Sequence, residues 1–259
     1  MQTTADPDAL WARVSAPGYP ERVSQAIEQL AASRAPATAQ LRLIHCVAAL
    51  GAESALFASI QREDCQVSAC HFMLACDPDW FRHHLYGDEV IHHPWLAYAA
   101  HHAEPVLASD LVDALPRDHM VPRACAADGF ASAFLVPAHS GQGHARTSLL
   151  VLGSAQRGYF EGEGLCRLRL GARALAAELH DWWWARQRHE LVQRARLTPA
   201  ELDLLRHERL GHGSKHIARA LQSTESAVNS RFQRLNAKLG THNRRAAARL
   251  AVESGLLPY

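Results

Sequence analysis

The last sixty-odd residues are punctuated in a way that leaves few folds open. Thr198 precedes Pro199, and Glu201 follows three residues after Thr198. This is a capping box with proline at the first helical position, so a helix opens here. Gly211-His212-Gly213 then breaks the chain, and Ser214 is placed to cap a second helix carrying Ile217, Ala218 and Leu221. A third helix starts near Thr224 and runs to Leu239, with Val228, Phe232, Leu235 and Leu239 on one side and Gly240 to end it. A fourth, over about 244–253, has an alanine-rich face, and Gly255-Leu256-Leu257 closes the segment. Four short helices, each with one apolar side, describe a small all-helical domain over 197–259.

The other side of the third helix carries Asn229, Ser230, Arg231, Gln233, Arg234 and Lys238. Side-chain amides can read adenine bidentately in the major groove, and Arg and Lys grip phosphates. Charge supports the same partner. The whole chain is nearly neutral at +1, but residues 191–259 hold 12 of the 27 Lys/Arg and 5 of the 26 Asp/Glu. The tail is therefore +7 and residues 1–190 are −6. A basic tail on an acidic body is expected of a double-stranded DNA-binding module joined to a domain that does not touch DNA.

The upstream part alternates between two periodicities. Residues 1–20 read as loosely ordered. Helical spacing runs from Tyr19 to Leu30 and from Ala37 to Leu50, while Ala55–Arg62, Val67–Ala75, Phe130–Pro137 and Thr147–Gly153 read as strands. A short helix falls at Asp79–Leu85, and a proline-broken stretch of loop and helix at 94–122. One long helix spans about 163–191 and contains Trp182, Trp183 and Trp184. Helices around a mostly antiparallel sheet make an α+β domain over 20–190, followed by a linker at 191–196.

Several function classes find no support. The sequence has no nucleophile elbow, no paired-carboxylate motif and no glycine-rich cofactor loop, so neither an enzyme nor a cofactor is expected. A phosphoacceptor receiver is disfavoured because residues 1–190 contain no lysine. There is no apolar run of membrane-spanning length and no secretory leader, so a cytoplasmic protein without membrane contact is expected. The six cysteines (46, 65, 70, 76, 125 and 166) form no CxxC pair and read as reduced thiols. The pairs His83-His84, His92-His93 and His101-His102 stand out among 17 histidines, but prolines interrupt them and no zinc spacing is present, so no metal is expected. A redox sensor built on Cys65, Cys70 and Cys76, or a metal sensor built on the histidine pairs, stays open as an alternative.

The landmarks of 197–257 resemble the LuxR-type helix-turn-helix of bacterial transcription regulators. They are the LTPxE opening, Ser214-Lys215-x-Ile217-Ala218, Ser226-x-Val228, Lys238-Leu239-Gly240, Asn243-Arg244 and Gly255-Leu256-Leu257. The resemblance implies that Asn229 and Gln233 contact bases and that Lys215, Arg231, Arg234, Lys238 and Arg244 lie near phosphates. It also implies a homodimer, and the helix over 163–191, with Trp182, Trp183 and Trp184, is expected to form part of its interface.

Upstream, the spacing of Trp80, Pro94 and Pro105, the stretch from Ala127 to Ser132, and Val136-Pro137 resemble the autoinducer-binding domain of quorum-sensing regulators. This implies an α-β-α sandwich sensor with a ligand pocket near Trp80, Tyr86, Trp95, Phe130 and Ser132. Three positions depart from the family pattern: His84 replaces a tyrosine, His93 an aspartate and Ala108 a tryptophan. A carboxylate accepting the amide N–H of an acyl-homoserine lactone is a charge-assisted bond worth about 1.5–3 kcal/mol, which these side chains do not supply. The expected signal is therefore a small apolar molecule other than an ordinary lactone. A lactone held by altered contacts, or a self-filled pocket in a ligand-independent regulator, are the alternatives.

Overall fold

The computed structural model describes residues 8–63, 66–84, 93–112, 129–139 and 146–257. The chain divides into two compact units, Met1–Asp181 and Trp182–Tyr259.

The first unit is built on a five-stranded sheet of β1 (Ser54–Glu63), β2 (Gln66–Ala75), β3 (Val106–Leu107), β4 (Ser132–His139) and β5 (Arg146–Ser154). The strand order is β2-β1-β5-β4-β3 and every pairing is antiparallel. Because side chains alternate across a sheet, each inner strand feeds two cores. Leu56, Ala58, Ile60, Ala133, Leu135, Leu149 and Val151 line one face, under α5 (Pro94–His101) and α6 (Ala108–Val112). Phe57, Phe134, Leu150 and Leu152 line the other and are fully buried.

On that second side α2 (Tyr19–Ala31) packs against α3 (Pro36–Leu50), and α3 lies on β1 and β2. Pro36 opens α3 and Gly51, at φ +91°, ends it, so both ends follow from single residues. The long helix α7 (Leu165–Ala195) meets the same face, where Ser148 Oγ lies 2.8 Å from His180 Nδ1. Burial, and the nearby His139 and Arg146 charges, push His180 down to about 4, so at neutral pH the ring is uncharged. Helices on both faces give the expected α-β-α sandwich.

Two expectations fail. Residues 9–14 are not loose: they form the helix α1 (Ala9–Val14), which buries Leu10 and Val14. Six residues are too few for a periodicity to show, and the pair four apart is held by its tertiary contacts. The stretch 191–196 is not a separate linker either. It continues α7 as far as Ala195, and Leu191 and Ala195 are buried in the core of the second unit. No glycine or proline interrupts 191–195, and Arg196, at φ +45°, is where the helix stops.

The second unit holds four further helices: α8 (Pro199–Arg209), α9 (Ser214–Ala220), α10 (Glu225–Leu239) and α11 (Arg244–Glu253). Their starts are set by local chemistry. Thr198 and Glu201 form the expected capping box, Thr224 Oγ1 accepts from Ala227 N–H, and Asn243 Oδ1 accepts from Ala246 N–H. Leu204, Leu205, Ile217, Val228, Phe232, Leu235, Ala247 and Ala251 share one core. Among the described residues, no helix is long and apolar enough to cross a membrane.

Candidate nucleic-acid interface and ligand pocket

The apolar stripe of α10 (Val228, Phe232, Leu235 and Leu239) faces inward, which fixes what the helix shows to solvent. Asn229, Ser230, Gln233 and Arg234 are exposed, Arg231 is half-buried, and Lys215 is exposed on α9. Between α9 and α10 the chain turns through Gln222, at φ +47°, and the two helices it joins pack against each other.

Two cations expected near phosphates are engaged within the domain. Lys238 Nζ lies 2.6 Å from Glu201 Oε1 and donates to the Arg196 carbonyl. Burial would raise the Glu201 carboxyl, but the hydrogen bonds from Lys238 and Thr198 outweigh it and hold the group below its ordinary value. Arg244 Nε sits 3.0 Å from the buried carboxylate of Glu208, and its guanidinium lies 5.9 Å from the Phe232 ring centre. Lys238 therefore clamps the α8 cap, and Arg244 joins α8, α10 and α11.

Ser214 also differs from its expected role. Gly213 is the N-cap of α9, and Ser214 is the first residue inside the helix. Its hydroxyl is used sideways, donating to Asn229 Oδ1 at 2.9 Å and accepting from Arg244 Nη1 at 3.0 Å. The sequence pattern of a cap could not distinguish these uses, because the competing partners come from residues 15 and 30 positions away.

In the first unit, the residues proposed to line a pocket divide. Trp80 and His84 belong to α4 (Pro78–His84), and Tyr86 lies outside the described residues. Trp95, 2% exposed, and Phe130 pack together in the core beneath α5, with ring centres 6.2 Å apart. His93 is the N-cap of α5; its Nδ1 accepts from Trp95 N–H, and its ring meets the Trp95 ring edge-on at 5.0 Å. Ala108, the first residue of α6, packs against the same cluster. Ser132 is not brought to them. It shares the parity of Phe134 on β4, and its Oγ accepts from Phe160 N–H on the opposite face.

The thiols give a redox reading little support. Burial pushes Cys70 up to about 12 and Cys46 and Cys76 up to about 11, leaving them as thiols rather than reactive thiolates at neutral pH. Cys65 and Cys125 lie outside the described residues. Of the histidine pairs, His102 stacks on Tyr98 with ring centres 4.4 Å apart. Among the described residues a close histidine group lies elsewhere, at His207, His212 and His216, which are not adjacent in the sequence. Their signal was the glycine-flanked His212 between two helix ends.

The family described as bacterial regulatory proteins, luxR family (GerE), matches residues 195–251. Searching curated proteins by sequence gives no match. Among solved structures, Escherichia coli SdiA is similar at a TM-score of 0.65 and 13% identity, over 93% of this chain and 100% of that one. SdiA in complex with octanoyl-rac-glycerol gives 0.60 and 12%, over 93% and 97%. CepR2 from Burkholderia cenocepacia, described as an N-acylhomoserine lactone dependent LuxR family transcription factor, gives 0.54 and 16%, over 65% and 96%. The chain thus has the SdiA-like fold, and its residues 195–251 are a LuxR-family helix-turn-helix domain.

Proposed function

We propose that this protein is a cytoplasmic, homodimeric transcription regulator that binds double-stranded DNA through α10 and answers to a small apolar ligand other than an ordinary acyl-homoserine lactone. The luxR-family match and the exposed amides and cations of α10 support the DNA reading. For the homodimer, the support is α7, where Leu170 is 74% exposed beside an apolar groove lined by Val14, Tyr19, Val23 and Ile27.

The ligand reading is carried by the buried indole N–H of Trp95. His93 stands beside it, where the family pattern has an aspartate; its Nδ1 accepts from Trp95 N–H, and an imidazole offers no carboxylate to a ligand amide. The Trp95 Nε1–H has no acceptor among the described residues. A buried donor in an apolar surround, with no carboxylate at position 93, suits ester, carbonyl or hydroxyl oxygens and does not suit an amide N–H that seeks a carboxylate. A protein of this fold, SdiA, is known in complex with octanoyl-rac-glycerol, which has ester and hydroxyl oxygens and no amide.

The test is thermal stabilisation of the full chain by octanoyl glycerol and by octanoyl-homoserine lactone. The glycerol ester is expected to stabilise the first unit, by about 2.7 kcal/mol at a hundred times its Kd, with the lactone at least about tenfold weaker. His93→Asp should shift the preference toward the lactone. Tighter lactone binding by the wild type would sink the reading. For DNA, Arg234→Ala should lower affinity across sequences and make the slope of log K against log salt shallower by about 1. Wild-type affinity and slope in that variant would remove α10 from the interface.

A further inference from the structure

His207 lies in the last turn of α8, His216 in the first turn of α9, and His212 in the turn between them. That turn is Gly211-His212-Gly213. Gly211 adopts φ +74°, and neither glycine has an atom within 4 Å of where a Cβ would stand. The chain there is bare backbone on both sides of one imidazole. His207 Nδ1 and His212 Nδ1 are 2.9 Å apart, and the rings of His212 and His216 lie 4.0 Å centre to centre. One nitrogen from each of the three residues falls within 4.8 Å of the others.

We propose that His207, His212 and His216 form a binding site for a first-row transition-metal ion of the imidazole-preferring kind, such as Zn²⁺. Neutral imidazoles suit Zn²⁺, Ni²⁺ and Cu²⁺, whereas Mg²⁺ and Ca²⁺ need oxygen ligands. With Zn–N bonds of about 2.0–2.1 Å, tetrahedral ligand nitrogens stand about 3.3 Å apart. The 2.9 Å pair must open slightly and the remaining separations close by up to about 1.5 Å, a movement within the reach of ring rotation on a glycine-flanked turn. Three nitrogens leave a fourth position for water. The C-terminal end of α8, where His207 sits, carries partial negative charge and favours a cation.

An ion here would staple the end of α8 to the start of α9. It would hold His212 and His216 on either side of Ser214, the residue that bonds to Asn229 and Arg244. The site therefore lies beside the proposed DNA-reading face without drawing on it, and it stands whether or not that reading does.

The full chain, stripped of metal by a chelator and dialysed, would be titrated with Zn²⁺ against a chromophoric competitor. Wild type is expected to bind one equivalent that both His216→Gln and His212→Gln weaken at least about tenfold. His101→Gln/His102→Gln, which alters a pair elsewhere, should bind as wild type does. His216 is exposed, so its replacement leaves the helical core intact. Hydrogen exchange across residues 207–217 should slow on adding Zn²⁺ to wild type and stay unchanged in His216→Gln. Equal stoichiometry and affinity in wild type, His212→Gln and His216→Gln would overturn the proposal.

Discussion

Replacing Gly153 with alanine is expected to destabilise the first unit by about 3 kcal/mol, at the upper end of what overpacking a core costs. Gly153 lies near the end of β5, paired with Ser54 of β1 and Ala133 of β4. A Cβ there would stand 2.3 Å from the Gly129 carbonyl oxygen, 2.4 Å from Ser54 Oγ and 2.5 Å from Phe130 Cδ1. The Ser54 hydroxyl could swing away, although it would give up its hydrogen bond to the Gly129 carbonyl. That carbonyl is backbone and the Phe130 ring is packed under Trp95, so neither yields without moving the start of β4. Calorimetry should show the transition of the first unit lowered by several degrees, about 2–4 °C for each kcal/mol at this size. The second unit should keep its own transition. A wild-type melting profile for Gly153→Ala would mean that the close approach of the 129–130 segment to β5 is wrong.

The second large effect is expected from Arg244→Ala. Glu208 is buried, with its side chain 6% exposed, and Arg244 is its ion-pair partner. Removing the cation leaves a carboxylate in a nearly dry setting, and breaking buried pairs from one side costs about 3–5 kcal/mol. Arg244 is itself partly exposed, so water can reach part of the gap and the lower figure, about 3 kcal/mol, is expected. The substitution also removes the hydrogen bond to Ser214 and the guanidinium over Phe232. Hydrogen exchange should speed up through α8, α10 and α11 together, because one side chain links all three. A Glu208→Gln/Arg244→Ala double variant should recover part of the loss, since a neutral amide costs less to strand than a carboxylate. If Arg244→Ala weakens DNA binding while leaving exchange rates unchanged, the residue acts by touching DNA instead of by holding the helices.

The sequence was most legible where structure is decided within a few residues. Thr198 caps the helix it is expected to cap, Thr224 stands where the third helix is expected to start, and Gly51 and Gly240 end theirs. Four of the five strands were legible for a related reason, their apolar runs being long and bounded by turn residues, whereas the two-residue β3 falls in the stretch read as loop and helix. It was least legible where a distant partner decides. Ser214 has the credentials of a cap, but Asn229 and Arg244 claim its hydroxyl. Ser132 belongs to a stretch that resembles a ligand-binding segment, but strand parity sends it to the far face, against Phe160. Adjacent histidines drew notice because they are conspicuous in one dimension. Neighbours on a helix point about 100° apart, so adjacency is poor evidence of convergence. His207, His212 and His216 converge because a break between two helices folds the chain back on itself.

Ser214 also bears on how this domain could be re-engineered. Its single hydroxyl constrains the amide of Asn229 and the guanidinium of Arg244 at once, so the effects of changing positions 214, 229 and 244 will not add. A one-at-a-time scan for altered operator choice would record each change as damage. Paired libraries at 214 and 229, with Arg244 left in place, are where new preferences should be found.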